Sequence, residues 1–334
     1  MTDTSQDLWS ATRARHTTAL GAAPGAKANR IFTGLSGAAA VTILVTLVAV
    51  AVFLLVEAWP ALTAPGDELA AKVSFIKDGQ SLWQIIGFLI FGTLLISAIA
   101  LLIATPLSIG IALFISHYAP RKLAATLGYL IDLLAAVPSV VYGLWGSAVL
   151  VPALMPFYQF LADYLGWIPF FAAPASGEIY TGRVAMSAGI VLAIMVIPII
   201  TAVSREVFLQ TPVLHQEAAL AMGATRWEMI KLAVLPFGRS GVIGATMLGL
   251  GRALGETMAV LMIIGPGLSY TLQILQPNQH NTIASYIALN FPEANALGVN
   301  SLIAMGLALF VITLVVNMAA RWIVARRSDF SGAN

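Results

Sequence analysis

The sequence predicts an all-α integral membrane protein with six transmembrane helices, and three observations lead to this fold class. First, 59% of the 334 residues are hydrophobic and only 10% are charged, whereas about a quarter of the residues in an average soluble domain are charged. Second, six apolar stretches are each long enough to cross a bilayer core of about 30 Å, which takes roughly 20 helical residues. Third, most lysines and arginines lie on one side of those stretches, as the positive-inside rule describes.

The six predicted spans form a membrane domain, residues 31–324, between an N-terminal tail, residues 1–30, and a C-terminal tail, residues 325–334. The second span contains Pro106, and because proline removes a helical hydrogen bond, we expect this span to be tilted, kinked or split. The predicted spans are Ile31–Val56, Ile85–Ser116, Ala124–Val151, Ala185–Val203, Gly241–Ile264 and Ser301–Val324.

The basic residues predict the orientation of the chain. The N-terminal tail lacks the apolar stretch of a cleavable signal peptide, so we expect the first span to direct insertion. Thirteen of the seventeen lysines and arginines fall on the side of both termini, which predicts that both termini are cytoplasmic. These residues are Arg13, Arg15, Lys27, Arg30, Arg121, Lys122, Arg205, Arg226, Lys231, Arg239, Arg321, Arg326 and Arg327.

Two long connections are predicted on the opposite, external side. The connection from Pro152 to Val184 is rich in aromatic residues, which indicates either a belt at the membrane interface or a landing surface for an external binding protein. The connection from Pro266 to Asn300 is polar and could serve in either role.

The fifth predicted span carries two charges. Arg252 lies near its middle, and Glu256 is four residues later, which on a continuous helix places both side chains on one face. A charge at this depth costs on the order of 3 kcal/mol and therefore needs a partner or a purpose. The pair is either a neutralised structural ion pair or an oxyanion site at the Arg252 guanidinium. Gly251 and Gly255 would let another helix approach closely.

The third predicted span carries Asp132 and then an irregular stretch with Pro138. Broken helices at membrane depth are tolerated where protein buries them or where they line a cavity. Ser139 and Tyr142 follow the break, so they either line a pathway or make ordinary hydrogen bonds between helices.

The segment from Glu217 to Pro236 is a short amphipathic stretch between long apolar runs, and we predict that it forms two helices with a turn at Gly223. Pro236 is expected to end it. A charged helix-turn-helix at a membrane face suits docking into a groove of another protein; the alternative is a helix that lies on the lipid headgroups. The motif residues are Glu217, Ala218, Ala219, Gly223, Ile230, Leu235 and Pro236.

These motif residues resemble the EAA motif of ABC-importer permeases. The resemblance implies a type I ABC-importer permease fold, a coupling segment over residues 206–236, and docking of Glu217, Ala218, Ala219 and Gly223 into a cleft of a cytoplasmic ATPase subunit.

Three further stretches narrow the resemblance to the PstC-type permeases of the phosphate-specific ABC importers. They are Gly92–Gly110, PSVVYGLWG at Pro138–Gly146 and GRALGETMA at Gly251–Ala259. The resemblance implies a homologous second permease subunit, two cytoplasmic ATPase subunits and an extracellular phosphate-binding protein as partners. It also implies a role for Arg252 and Glu256 in phosphate translocation, and Asp132 stands where an acid is expected.

Several classes of function lack their sequence signals. The chain has no cysteine, and its four histidines lie in separate segments without metal spacing. No phosphate-binding loop of the G-x-x-x-x-G-K-[ST] type occurs, so ATP hydrolysis is assigned to separate subunits, and Ser74–Lys77 matches S-x-x-K without its companion motifs. We therefore expect no cofactor, no metal, no catalytic residue and no nucleic-acid partner.

The sequence thus predicts the permease subunit of an ATP-driven phosphate importer in the cell membrane. One alternative is a permease for another oxyanion, such as sulfate or molybdate. Another is an ATP-independent channel or secondary transporter.

Overall fold

The computed structural model describes residues 26–77, 79–172 and 181–328, so most of the two predicted tails lies outside the described residues. Its described residues form α-helices joined by turns and irregular segments, without a β-strand. The α-helices are α1 (Ala26–Thr63), α2 (Gly66–Lys72), α3 (Leu82–Leu113), α4 (Arg121–Ala135), α5 (Ser139–Trp145), α6 (Val151–Leu165), α7 (Ala185–Leu209), α8 (Val213–Ala221), α9 (Arg226–Met229), α10 (Leu235–Leu254), α11 (Met258–Ile263), α12 (Ile283–Asn290) and α13 (Ala296–Ser328). Three π-helical turns, Phe114–Tyr118, Gly146–Leu150 and Ile230–Val234, continue α3 and join α5 to α6 and α9 to α10.

Six helical stretches among the described residues are long and apolar enough to cross a membrane, which confirms the predicted number. They are Ile31–Thr63, Leu82–Tyr118, Ser139–Leu165, Ala185–Leu209, Arg226–Leu254 and Ala296–Trp322. The second is helical throughout and passes Pro106 without a break, so it is not split.

The chain divides into two units at Phe53. The first unit is the N-terminal part of α1, where the side chains of 31–50 are exposed. Its threonines bond back to the helix itself: the hydroxyls of Thr42 and Thr46 donate to the carbonyls of Ala38 and Thr42 at 2.9 Å. A threonine paired in this way is tolerated in apolar surroundings, because no donor is left without a partner.

The second unit, from Leu54 onwards, has α7 at the centre of its largest core, packed against α3 and α10. Small residues allow the close contact between α7 and α10. A Cβ atom on Gly249 would lie 2.7 Å from Val196 and 2.8 Å from Ile200, and one on Gly238 would lie 2.7 Å from the Phe208 ring. The face of α10 that carries these glycines is therefore fixed against α7.

The third predicted span, Ala124–Val151, is wrong in its bounds. The chain breaks at residues 136–138, so α4 is a separate amphipathic helix and the membrane-spanning stretch begins at Ser139. Proline cannot donate the hydrogen bond that would continue α4, and it favours extended backbone before it. The spanning stretch runs on to Leu165, so the first fourteen residues of the predicted external connection are helical. In this stretch Tyr158 is fully buried and bonds to the Ser187 hydroxyl at 2.8 Å, so it belongs to no external surface.

The fifth predicted span, Gly241–Ile264, is wrong at both ends. Helix runs without a break from Arg226 to Leu254, and Pro236 does not end the segment before it. The π-helical turn before Pro236 explains this, because there the Leu235 N–H bonds to the Ile230 carbonyl, five residues back, in a widened turn just before the residue that lacks an N–H. At the other end α10 stops at Leu254, and the remaining residues form the separate helix α11.

The polar connection after α11 packs into the second unit. The Ile283 N–H donates to the Thr93 hydroxyl on α3 at 3.0 Å, and a Cβ atom on Gly92 would overlap the Asn281 carbonyl. His280 and Asn281 are each 2% exposed. Much of the connection is therefore an interior element rather than a free external loop.

Candidate functional site

An open cavity of about 970 Å³ lies along one face of α10. Its lining residues on α10 recur every three or four positions from Ser240 to Arg252, as expected of one helical face. The lining is Ile199, Ser240, Ile243, Gly244, Met247, Leu248, Gly251, Arg252, Asn317 and Arg321. It contains two guanidinium groups, one amide, one hydroxyl and no carboxylate, so its electrostatic character favours an anion.

Arg252, predicted as the oxyanion site, lies in the last turn of α10 with an exposed side chain. Within the described residues it forms no ion pair and no hydrogen bond. Tyr142, another predicted pathway residue, does not line this cavity. An unpaired guanidinium with a row of donors is suited to bidentate contact with an oxyanion.

Among the described residues Glu256 forms no ion pair with Arg252, which excludes one of the two alternatives, the neutralised structural ion pair. The four-residue spacing brings two side chains together only inside a helix, and α10 ends at Leu254 with Gly255 as its cap. Glu256 is 8% exposed, and its Oε1 accepts a hydrogen bond of 3.1 Å from the Ala259 N–H in the first turn of α11. The carboxylate therefore caps the next helix, where an anion is favoured by the helix dipole.

Within the described part of the chain, the glycine pair of this stretch is also not a contact between helices. A Cβ atom on Gly251 would meet no atom within 4 Å, and Gly251 faces the cavity instead. Gly255 lies beyond the helix.

The two motif stretches around Tyr142 and Glu256 pack against each other. A Cβ atom on Gly143 would lie 2.9 Å from the Ala259 Cα and 3.0 Å from the Met262 sulfur, so α5 and α11 are in close contact. The Tyr142 hydroxyl donates to the Leu134 carbonyl at 2.9 Å and ties α5 to the end of α4 across the break. Ser139 is the first residue of α5 and is half-buried, but it does not line the cavity.

Asp132 does not lie in one of the six helices long and apolar enough to cross a membrane, which corrects its placement in the third predicted span. It lies on α4, which precedes the spanning stretch, and its side chain is exposed. The neighbouring Gly128 lies under the Arg205 guanidinium of α7, since a Cβ atom there would approach that group at 2.6 Å. Asp132 does not line the cavity that contains Arg252.

The predicted coupling segment forms the expected two helices with a turn at Gly223. Gly223 has φ +85°, and the N–H groups of Gly223 and Ala224 bond to the carbonyls of Leu220 and Ala219 at 3.0 and 3.2 Å. These two bonds close α8 in a Schellman motif, which needs a left-handed residue at this position. Thr225 and Glu228 then start α9 with a reciprocal capping box.

None of the residues of helix α8 is buried. Glu217 and Ala218 are exposed, while Ala219 is half-buried against a small core that contains Phe208 and Ile230. Leu214 and Met222 are 75% and 89% exposed. The segment therefore offers apolar side chains on a helix that is fixed at its base, a geometry suited to insertion into a groove.

Two polar residues of α13 that line the cavity were not assigned to a site by the sequence. Arg321 was counted only among the basic residues of the cytoplasmic side, and Asn317 was not considered. Their four-residue spacing inside an apolar run is the signal that could have found them, because it places both polar groups on one face of α13. No metal-binding cluster of His, Asp or Glu is found in the part of the chain that the structure describes.

Comparison with known proteins matches residues 104–329 to the family model described as "Binding-protein-dependent transport system inner membrane component". The chain is 44% identical over 300 residues to the phosphate transport system permease protein PstC 2 of Mycobacterium tuberculosis, covering 89% of this chain and 92% of that protein. It is 45% identical over 279 residues to the PstC protein of Mycobacterium leprae, covering 83% and 87%. It is 41% identical over 314 residues to the PstC protein of Xylella fastidiosa, covering 92% and 94%.

Two solved structures also resemble the chain. One is a bacterial ABC transporter involved in the import of the acidic polysaccharide alginate, with 19% identity, a TM-score of 0.49, and coverage of 90% of this chain and 99% of that one. The other is an inward-facing form of the MetNI methionine ABC transporter, with 16% identity, a TM-score of 0.44, and coverage of 72% and 94%.

Proposed function

We propose that this chain, which belongs to the family of binding-protein-dependent transport system inner membrane components, is the transmembrane permease subunit of an ATP-driven phosphate importer. Phosphate is proposed as the transported ion because the chain is similar, over about nine tenths of its length, to proteins named as phosphate transport permeases. The cavity adds a physical reason, since its guanidinium groups face no carboxylate.

Arg252 is the proposed contact for the oxyanion in transit. A guanidinium that no carboxylate neutralises within the described residues keeps its donors available for a phosphate oxygen. Conduction also requires that each contact be weak enough for release. Exposure of Arg252 on an open cavity supports this, because water competes for the same donors.

Helix α8 is the proposed docking element for an ATPase subunit. The chain carries no phosphate-binding loop of its own, which supports hydrolysis by two separate cytoplasmic ATPase subunits. Their closure on ATP would move α8 and α9, and the pathway would switch between two discrete arrangements rather than deform gradually. A homologous second permease subunit would supply the other half of the pathway, and an external binding protein would deliver phosphate.

The proposed orientation places both termini and α8 in the cytoplasm. The excess of lysine and arginine on that side supports it. The same orientation puts the Glu217–Gly223 segment where a cytoplasmic ATPase could reach it.

The test is ATP-dependent uptake of radiolabelled phosphate into proteoliposomes that contain this chain with its companion subunits. Excess sulfate or molybdate distinguishes the cargo, because a permease for either anion would lose phosphate uptake in its presence. Uptake that an ion gradient drives without ATP would instead identify a secondary transporter.

Arg252→Gln is expected to abolish phosphate uptake while the chain still co-purifies with the ATPase subunits. A lost charge-assisted contact is worth at least about a factor of ten. Arg239→Gln is the matched control, since Arg239 is exposed on the same helix and does not line the cavity. Normal uptake by Arg252→Gln would contradict the assigned role.

A further inference from the structure

The cavity contains a second cluster of polar side chains, which has no part in the proposed role of Arg252. Arg321 and Asn317 lie four residues apart on α13 and face the cavity, and Ser240 faces it from α10. Ser240 precedes Arg252 by twelve residues, which corresponds to about 18 Å along a helix axis. The end of the cavity at Ser240 is therefore spatially separate from the end at Arg252.

The helices bring Arg321 to that same end. α10 and α13 belong to consecutive spanning stretches, so they cross the membrane in opposite directions. Along α10, Ser240 is the cavity residue nearest to Arg226, where the continuous helix begins, and Arg321 lies one residue before Trp322, where the last spanning stretch ends. Both residues therefore lie at the end of the cavity that is nearer to one membrane face, the cytoplasmic face in the proposed orientation.

The donors at this end are available to a ligand. Arg321 forms no ion pair or hydrogen bond within the described part of the chain. The Asn317 amide donates one of its two hydrogens to the Thr313 carbonyl at 2.9 Å and retains the second. Ser240 offers a hydroxyl, and no carboxylate lines the cavity. A group of donors with net positive charge and no acid recognises an oxyanion.

We propose that Arg321, with Asn317 and Ser240, forms a second oxyanion subsite at the cytoplasmic end of the cavity, which a phosphate occupies after it leaves Arg252. This inference rests on the proposed function. Two weak positions in series allow an ion to advance without a deep binding well at either one. A phospholipid headgroup presents the same phosphate chemistry, so the test separates a free phosphate from a lipid.

The absence of cysteine in the chain makes the subsite measurable by thiol labelling. Gly244 lines the cavity one turn from Ser240, and a Cβ atom there would meet nothing within 4 Å, so Gly244→Cys is a reporter that fits. Gly110→Cys is the matched control reporter. It also has open space at its Cβ atom, but it lines a separate apolar cavity without any charged residue.

The experiment measures alkylation by N-ethylmaleimide of the full complex in phosphatidylcholine nanodiscs, with increasing inorganic phosphate. We expect phosphate to slow the labelling of Gly244→Cys and to leave Gly110→Cys unchanged. Adding Arg321→Gln should raise the phosphate concentration for half protection at least about tenfold. Adding Arg239→Gln, which also removes one positive charge but from outside the cavity, should leave the phosphate concentration for half protection unchanged. Protection that is absent, or that Arg321→Gln leaves unshifted, would overturn the proposal.

Repeating the titration with phosphatidylglycerol in the nanodiscs distinguishes the lipid. If labelling of Gly244→Cys is slowed by the anionic lipid and not by added phosphate, the group binds a headgroup and the transport subsite is refuted. Uptake of radiolabelled phosphate by the unmodified complex is measured in parallel. Uptake without protection refutes the subsite alone, whereas absence of ATP-dependent uptake refutes the proposed function itself.

Discussion

The turn at Gly223 gives a graded test of the proposed coupling segment. Its φ of +85° lies in the left-handed region, and a Cβ atom there would meet nothing within 4 Å. A substitution therefore adds backbone strain without a steric clash. The cost for an alanine is about 1–2 kcal/mol, which lowers the population of this turn by a factor of about 5 to 30.

The measurement is the number of phosphate ions imported per ATP hydrolysed by the reconstituted complex. We expect coupling to fall in the order Gly223→Asn, Gly223→Ala, Gly223→Val, because asparagine tolerates the left-handed region and a β-branched residue does not. ATP hydrolysis is expected to persist as coupling falls. Gly110→Ala is the matched control, since Gly110 is also exposed with open space but lies inside the regular helix α3.

Wild-type coupling in Gly223→Val would refute the argument that this turn positions α8 for the ATPase. An equal loss of coupling in Gly223→Asn and Gly223→Val would refute the strain argument, because the cost would then not follow backbone preference. Melting temperatures of the variants separate either result from general unfolding.

Two further predictions concern Glu256 and His280. Because the Glu256 Oε1 caps α11, Glu256→Gln should retain phosphate uptake, whereas Glu256→Ala should lose a cap worth about 1 kcal/mol and transport poorly; equal loss in both variants would point to the charge instead. Burial lowers the pKa of His280 from its ordinary 6.5, and the hydrogen bond from Nε2–H to the Thr271 carbonyl at 2.7 Å offsets only part of this effect. The unfolded chain then binds a proton that the folded chain does not, so the stabilisation by His280 is complete above about pH 6.5 and is lost as the pH falls towards the lowered pKa. Melting temperatures from about pH 8 to pH 5 should show this loss in the wild type and less of it in His280→Gln; identical pH profiles would contradict it.

Hydropathy was sufficient to predict the number of spans but not where the helices break. Ala124–Val151 and Gly241–Ile264 are continuous apolar runs, yet the structure interrupts them at residues 136–138 and 255–257. Pro138 was interpreted in the sequence as a break, whereas Gly255 was interpreted only as a point of close helix approach. What hydropathy lacked were the contacts that stabilise the breaks, such as the bond from Tyr142 to the Leu134 carbonyl, since these join residues that no local pattern relates.

The candidate site was predictable in its charges and not in its pairings. Arg252 was identified because an arginine in an apolar run is costly. The partner assigned to it, Glu256, was inferred from helical spacing, which fails once the helix ends at Leu254. Arg321 was overlooked because counting basic residues by membrane side treats each as an orientation signal and ignores which helical face it occupies.

The continuity of the helix from Arg226 to Leu254 determines how force could travel in the proposed mechanism. These 29 residues extend about 43 Å, with α9, the second helix of the coupling segment, at one end and Arg252 at the other. From Leu235 onwards the helix is regular, so a displacement of α9 reaches Arg252 either by rotation of the whole helix or by bending at the π-helical turn Ile230–Val234. Arg321 belongs to a different helix, so any motion that carries Arg252 along with α10 would change the separation between the two guanidinium groups. A phosphate held at one of them would then be released as the distance to the other changes.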